Sequence, residues 1–251
     1  MQPTDTSHRI ASPAQCLPQR LRLLEREKAL TRLQDEVARE RRALPWVRLA
    51  RDYVFDAPDG LRPLASLFDG RSQLLVQHFM FGPGWEDGCP SCSFMADHID
   101  GIAVHLAARD IACVAISSAP LHELERFRAR MGWRFPWVSS QRSSFNRDFG
   151  VGFAAQDRVD GKVDYNHVRQ PFPGDEAPGI SVFAMDAAGA VFHTYSTYGR
   201  GVEAMMGAYR LIDLTPRGRH EEGLEHGMAW VRHHDRYAPD PAPACCCGPQ
   251  R

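Results

Sequence analysis

Several features that would place this chain in a functional class at once are missing from its sequence. Its 30 basic and 31 acidic residues give a formal net charge of −1, so it has no bulk positive field of the kind that collects nucleic acid phosphates. No uninterrupted apolar stretch approaches the ~20 residues that a membrane-spanning helix needs, and residues 1–20 lack the basic flank and apolar core of a signal peptide. We therefore expect a cytoplasmic protein that has neither nucleic acid nor a membrane as a partner.

The cysteines are odd in number and irregularly spaced, which is unlike a secreted disulfide framework. In a reducing compartment, a close pair such as Cys89 and Cys92 is a better candidate for catalysis or metal binding than for a structural bridge. The seven are Cys16, Cys89, Cys92, Cys113, Cys245, Cys246 and Cys247.

The chain of 251 residues, 43% hydrophobic and 24% charged, fits one globular domain with extensions. In residues 19–44 the apolar positions, among them Leu21, Leu24 and Leu33, predict an amphipathic helix that packs on the domain or on a second subunit of a homodimer. Pro45 ends this helix. The predicted organisation is a mobile lead-in over 1–18, the helix over 19–44, an α/β domain over 45–215 and an extension over 216–251 that carries the Cys-rich tail.

The domain alternates between strand and helix signals. Residues 74–81 and 111–116 are nearly continuous apolar runs, typical of strands buried on both faces. Residues 92–109 between them place Met95, Ile99, Ile102 and Leu106 on one helical face. This order predicts a right-handed βαβ unit with parallel strands.

The rest of the domain has weaker signals. A helix is predicted over 121–131, a hairpin over 181–185 and 190–195, and a closing helix over 202–213. Residues 153–179 have little periodicity and are interpreted as an irregular insertion.

Cys-Pro-Ser-Cys, residues 89–92, follows a buried strand and opens a helix, the context in which a Cys-x-x-Cys motif is informative. The helix N-terminus favours thiolate over thiol, so Cys89 is the expected nucleophile. Pro90 suits the first helical turn because no N–H is needed there. Cys92, one turn along, is placed to attack a mixed disulfide on Cys89 and to release the reduced substrate.

A Cys-x-x-Cys pair also occurs in haem attachment sites and in structural zinc sites. Haem attachment requires His after the second Cys, where Ser93 stands. A structural zinc site needs about four ligands, and His98 and His105 lie one and two turns down the helix. A metal-binding or inert module, with or without Cys245–Cys247, is therefore the non-enzymatic alternative, and no cofactor is expected.

The stretch GLRPLASLFDGRSQLLVQHFMFGPGWEDGCPSC, residues 60–92, is similar to the opening of the thioredoxin and alkyl-hydroperoxide-reductase-like superfamily. More closely, WEDGCPSCSFMADHIDG (85–101), VFHTYSTYGRG (191–201) and LTPRGR (214–219) resemble a bacterial thioredoxin-like family of unknown function whose members are labelled as predicted dithiol-disulfide oxidoreductases. The likeness also takes in 27–46 and 230–237, roughly four fifths of the chain. It implies a thioredoxin-like α/β fold, which is a central mixed sheet flanked by helices. It also implies thiol-disulfide exchange, with a thiol, a disulfide or another small molecule as substrate and with a thiol as electron donor.

The chain departs from the superfamily pattern at three places. Gly88 stands where thioredoxins have Trp, and the nearest Trp is Trp85. Glu86 stands three residues before Cys89, where a peroxiredoxin signature has Thr or Ser, so a thiol peroxidase is the less favoured enzyme. The expected cis-Pro falls near Ile180, whereas Pro178 is two residues early.

Four further side chains are possible auxiliaries of the site. Trp85 and Asp87 lie in the loop before Cys89, and Asp87, if buried, would accept the proton of Cys92; otherwise it is a solvated loop acid. His193 and Tyr195 lie on a predicted strand and would line a substrate pocket or be ordinary strand residues. Cys113 is expected to be a buried hydrophobe, and the histidines at 226, 233 and 234 are expected at the surface.

Overall fold

A computed structural model describes residues 8–238 and divides the chain into two units, one ending at Pro45 and the other beginning at Trp46. The first unit contains helix α1, Pro13–Ala43. It starts six residues before the predicted position, within the predicted lead-in, because Ser12 and Gln15 form a capping box ahead of Pro13. The triplet Cys245–Cys247 lies outside the described residues.

Helix α1 lacks a single apolar face along its length, contrary to the predicted amphipathic pattern. At 100° per residue, Leu21 and Leu24 fall on one side and Leu30, Leu33 and Val37 on the opposite side. The two stripes are separated because Leu30 follows Leu24 by six positions rather than by seven. None of the side chains of α1 is buried.

The second unit is built on a mixed sheet, and within residues 8–238 that sheet has eight strands in the order β1-β10-β9-β4-β5-β6-β2-β3. Strands β4, β5 and β6 run parallel, whereas β9 pairs antiparallel with β4. Two further strands, β7 and β8, pair only with each other. In chain order the strands are β1 Val47–Arg48, β2 Val54–Ala57, β3 Gly60–Pro63, β4 Gln73–His78, β5 Ile111–Ser117, β6 Trp137–Ser139, β7 Lys162–Tyr165, β8 Val168–Pro171, β9 Gly179–Met185 and β10 Val191–Tyr198.

Helices cover the sheet and connect its strands. The α-helices are α2 Pro90–Ala107, α3 Leu121–Met131, α4 Phe145–Asp148 and α5 Gly207–Ile212, and 3₁₀ turns occupy Leu64–Phe68, Ala155–Asp157, Gly199–Met205 and His234–Arg236. The predicted helix over 202–213 is therefore a 3₁₀ turn followed by a short α-helix. The β4-α2-β5 unit and the β9-β10 hairpin confirm the predicted thioredoxin-like fold.

The side chains of the sheet alternate between two apolar layers. One layer contains Leu74, Val76 and Phe183 together with Phe145 of α4. The other contains residues of α2 and α5, such as Met95 and Tyr209. Since β4 lies between β9 and β5, its carboxyl end is deep in the domain, and this end leads toward the Cys pair.

Two predicted irregular regions have defined structure. Within 153–179, β7 and β8 form a two-stranded hairpin whose Val163 and Tyr165 pack against Phe153 and Tyr198. The prediction of an irregular insertion is wrong for this hairpin. The extension after residue 215 is held on the domain by the buried side chain of Val231. No helix among residues 8–238 is long and apolar enough to span a membrane.

Candidate active site

The Cys pair lies where the loop after β4 meets the first turn of α2. Cys89 is the N-cap of α2, and Pro90 is its first residue. The backbone N–H of Cys89 donates to the carbonyl of Met80 at 3.0 Å, which fixes the cap against the loop. Gly88 is required here, because a Cβ at this position would lie 2.6 Å from the ring of Phe79.

The Cys89 thiol is set up to ionise near neutral pH. The pKa of Cys89 is lowered to about 7. The largest cause is the hydrogen bond with the Cys92 side chain, and the backbone N–H groups of Cys92 and Ser91 lower the pKa further, whereas burial raises it. The Ser91 side chain also lowers the pKa of Cys89. This is the behaviour expected of a cysteine at a helix N-terminus.

Cys92 has the opposite electrostatic setting. Its side chain is 1% exposed, and the amide of Met80 lies 3.5 Å from its sulfur as a donor. The hydrogen bond with Cys89 and burial raise the pKa of Cys92 well above its usual range. The amide of Gln77 on β4 donates to the Cys92 carbonyl at 3.0 Å, and both cysteines are free thiols.

A buried carboxyl group, Glu176, stands near the pair and was not identified from the sequence. It is 7% exposed, accepts a hydrogen bond from the Ser118 hydroxyl and interacts with the Asn146 side chain. Burial raises the pKa of Glu176 to about 7, and its charge contributes to the raised pKa of Cys92. Glu176 thus changes its protonation state near neutral pH and interacts electrostatically with the Cys92 thiol.

Of the two loop auxiliaries, neither faces the thiols as a proton acceptor would. The carboxylate of Asp87 is paired with Arg130 and, at 2.6 Å, with Arg236. Trp85 is partly exposed and lies over the backbone of Gly82. Asp87 therefore anchors the loop before Cys89.

The C-terminal segment 228–236 fastens the same loop. The Nε2 of His233 lies 2.8 Å from the carbonyl of Gly88, which can only accept, so Nε2 carries the proton. Arg130 bonds to Asp235 at 2.8 Å as well as to Asp87. The expectation that His233 is at the surface is wrong, because it is 4% exposed and its ring contacts Phe127 edge-on.

The strand auxiliaries lie apart from the Cys pair. His193 takes part in a chain of contacts of 2.7 Å each that runs through Ser196 and Ser181 to His78. Burial lowers the pKa of His78 to about 3, so this histidine, at one end of the chain of contacts, is uncharged at neutral pH. Tyr195 stands opposite Val182 in the β9-β10 register.

A pocket of about 1000 Å³ opens beside the Cys pair and is lined by Cys89, Ser91 and Cys92. Pro178 also lines it, and no peptide bond within residues 8–238 is cis. His193 and Tyr195 are not part of its wall. In the same part of the chain, no group of three or more His, Cys, Asp or Glu side chains is placed to hold a metal ion.

Comparisons with known proteins give a family and a set of folds. A family model described as a bacterial protein of unknown function, DUF899, matches residues 5–237. No curated protein matches the chain. Similarity at the levels given below carries no information on the reaction of this chain.

Three solved structures illustrate the likeness. Peroxidoxin BcpB of Mycobacterium tuberculosis is 17% identical, with a TM-score of 0.42 over 66% of this chain and 96% of its own. Peroxiredoxin Q of Xanthomonas campestris is 12% identical, with a TM-score of 0.43 over 63% and 89%. A protein described as the thiol:disulfide interchange protein DsbE of Chlorobium tepidum is 15% identical, with a TM-score of 0.39 over 67% and 97%.

Proposed function

We propose that this chain, which belongs to the DUF899 family of bacterial proteins, is a dithiol-disulfide oxidoreductase whose reacting groups are Cys89 and Cys92. One observation carries the proposal: two thiols on the first turn of α2 have pKa values shifted in opposite directions, to about 7 for Cys89 and upward for Cys92. Such a pair supplies a thiolate at neutral pH and a second thiol that stays protonated until it is needed.

The reaction has two thiol-exchange steps. The Cys89 thiolate attacks one sulfur of a substrate disulfide, a Cys89–substrate disulfide forms, and the other substrate half leaves as a thiolate that takes a proton from solvent. Cys92 then loses its proton and attacks the Cys89 sulfur, which forms the Cys89–Cys92 disulfide and releases the second half as a thiol. Two electrons pass from the protein to the substrate, and an external thiol donor restores the dithiol.

We assign Glu176 as the group that accepts the proton of Cys92. Buried thiols ionise with difficulty, and the raised pKa of Cys92 makes its deprotonation the step that needs help. A carboxyl group with a pKa of about 7 exists in both protonation states at neutral pH, so it can accept that proton and return it in the next cycle.

The proposed place of this chemistry is the cytoplasm.

Trapping experiments test the roles of the two cysteines. The Cys92→Ser variant should accumulate a mixed disulfide with a disulfide substrate, because nothing resolves it, whereas Cys89→Ser should accumulate none. Intact-protein mass spectrometry reads the added mass directly. Equal trapping by both variants would show that the assignment is wrong.

The two alternatives each have a distinct readout. A thiol peroxidase would consume hydrogen peroxide with a thiol reductant, and Cys89→Ser would abolish that consumption. A metal-binding module, including one that uses Cys245–Cys247, would be recovered with bound metal when purified without chelator. Neither result is expected if the pair works in disulfide exchange.

A further inference from the structure

On the strength of the proposed function, we propose that the substrate is a low-molecular-mass disulfide with an uncharged, apolar body that enters the pocket beside Cys89. The pocket reaches the reacting thiols and, at about 1000 Å³, lies at the upper end of the range of small-molecule sites, roughly 300–1,000 Å³. It is therefore large enough to enclose the organic part of such a disulfide while one sulfur meets Cys89.

The apolar part of the pocket lining is rich in methionine. Methionine side chains are unbranched and polarisable, so they adapt to ligands of different outline and contact sulfur and aromatic groups favourably. Met95 and Met206 are buried, whereas Met80 and Met228 are half-buried, so the first two are more constrained by packing than the second two. The apolar lining residues are Met80, Met95, Val202, Met206 and Met228.

Other lining residues are charged, and the arginines among them are already paired with acids. Arg219 bonds to Glu203 at 3.1 Å and to Asp213 at 2.9 Å, and its guanidinium lies 3.9 Å above the centre of the Tyr209 ring. Arg200 bonds to the same Glu203 at 2.9 Å. The positive charge of both arginines is thus already balanced by acids of the protein before a ligand carboxylate arrives.

The acids of the pocket lining outnumber its arginines. A third acid, Glu221, accepts from the Tyr209 hydroxyl and from the Trp230 ring N–H at 2.8 and 2.9 Å, so its position is fixed. An anionic disulfide such as oxidised glutathione would meet net negative charge there, and an uncharged one would not. The charged lining residues are Arg200 and Arg219 against Glu203, Asp213, Glu221 and Glu222.

A series of alkyl 2-pyridyl disulfides tests this substrate class. Attack of Cys89 on the alkyl sulfur forms a Cys89–alkyl disulfide and releases 2-thiopyridone, whose absorbance gives the rate under single turnover. The alkyl group is lengthened from methyl to pentyl, and each rate is divided by that of 2-mercaptoethanol with the same probe. The normalised rate should rise about two- to fourfold with each added methylene, as burial of apolar groups in the pocket requires.

A carboxylate at the end of the same alkyl chain tests the charge argument. We expect the carboxylate probe to react about tenfold more slowly than the alkyl probe of equal length, because its charge would be desolvated among acids. Glu222→Gln should narrow that gap, and Glu225→Gln, an exposed acid outside the pocket wall, should leave it unchanged. Met228→Gln should flatten the dependence on alkyl length.

The outcomes separate the two proposals. Thiopyridone release that requires Cys89 but does not change with alkyl length, or that is faster for the carboxylate probe, would overturn the substrate class and leave the exchange reaction standing. Oxidation of the Cys89–Cys92 pair by a folded protein disulfide faster than by the alkyl probes, followed by mass spectrometry, would do the same. Release at the same rate by the unmodified protein and by Cys89→Ser would overturn the proposed function itself.

Discussion

At the scale of single residues, the lowered pKa of Cys89, on which its proposed role as nucleophile rests, depends on its neighbour Cys92. The hydrogen bond from Cys92 is the largest cause of the lowered pKa of Cys89, so the pair must be intact for the nucleophile to be ionised at neutral pH. The same interaction keeps Cys92 protonated, which prevents two thiolates from facing each other.

The rate at which Cys89 attacks a neutral disulfide should therefore follow its thiolate fraction. We expect the rate to rise with pH and to level off above about 7. In Cys92→Ala the midpoint should move upward, toward the usual value of 9.0, because the largest stabilising contact of the thiolate is gone. The ultraviolet absorbance of the thiolate gives the midpoint independently of the rate. An unmoved midpoint would contradict the role assigned to Cys92, and Cys92→Ser, which keeps a donor, is the matched control.

Glu176 connects the site to the stability of the fold. Its folded pKa, about 7, is above the usual 4.5, so folding penalises its charged form. The penalty is absent below about pH 4.5 and complete above about pH 7, with an upper limit of about 3 kcal/mol. Glu176→Gln should accordingly be more stable than the unmodified protein at about pH 8 and equal to it at about pH 4.

Urea unfolding at the two pH values measures this difference, and it is cleanest in a Cys89→Ser, Cys92→Ser background that removes thiol ionisation. A gain that is the same at both pH values would mean that Glu176 is not buried as a titrating acid. The same substitution in the active protein should slow the step in which Cys92 attacks Cys89, without slowing the first attack.

Glu176 also shows what sequence patterns cannot supply. The Cys89–Cys92 motif could be interpreted because strand, turn and helix are consecutive in the chain. The partners of Glu176, Ser118 and Asn146, come from distant segments, so no spacing rule indicates that this acid is buried.

At the scale of elements, the apolar runs predicted β4 and β5 and the helical face predicted α2, because burial on the sheet imposes these patterns directly. The β7-β8 hairpin was missed because its alternation lasts only four residues per strand. A local signal was present: Asn166 and His167, between the strands, both have positive φ, and Asn tolerates this region well.

The first turn of α2 depends on the glycine before it. Gly88→Ala would place a methyl group 2.6 Å from the Phe79 ring, so we expect a loss of about 1–3 kcal/mol in stability and a displaced Cys89 with a higher pKa. Gly101 lies inside α2, and a methyl group added there would have no atom within 4 Å. Gly101→Ala should therefore stabilise the fold by about 0.5–1 kcal/mol. Thermal unfolding and thiolate absorbance of both variants test the pair of expectations, and equal effects at the two positions would contradict them.

At the scale of the whole molecule, the resemblance predicted the fold correctly, whereas the role of the C-terminal segment was not predicted. Residues 228–236 contact the domain through single side chains such as His233 and Asp235 rather than through a periodic face. Contacts of this kind leave no pattern in the sequence. The loop before Cys89 is consequently held by a segment about 145 residues further along the chain.

The reduction potential of the Cys89–Cys92 pair is the property in which all of these interactions meet. The hydrogen bonds that lower the pKa of Cys89 stabilise the dithiol form, and stabilising that form makes a pair more oxidising. We expect a reversible two-electron transition between about −120 and −270 mV, the span of thioredoxin-fold exchangers. The native potential should also be less negative than that of the same protein unfolded in urea.

Equilibration in graded buffers of 2-mercaptoethanol and its disulfide, followed by thiol counting by mass spectrometry, measures both potentials. Cys16 and the Cys245–Cys247 run are replaced by Ser, while Cys113 is kept because burial raises its pKa to about 12 and makes it slow to react. By the thermodynamic cycle, every 30 mV between the native and unfolded potentials corresponds to about 1.4 kcal/mol of extra stability in the dithiol form. A native potential more negative than the unfolded one, or a disulfide form that resists urea better, would contradict the stabilised thiolate from which the exchange reaction is argued.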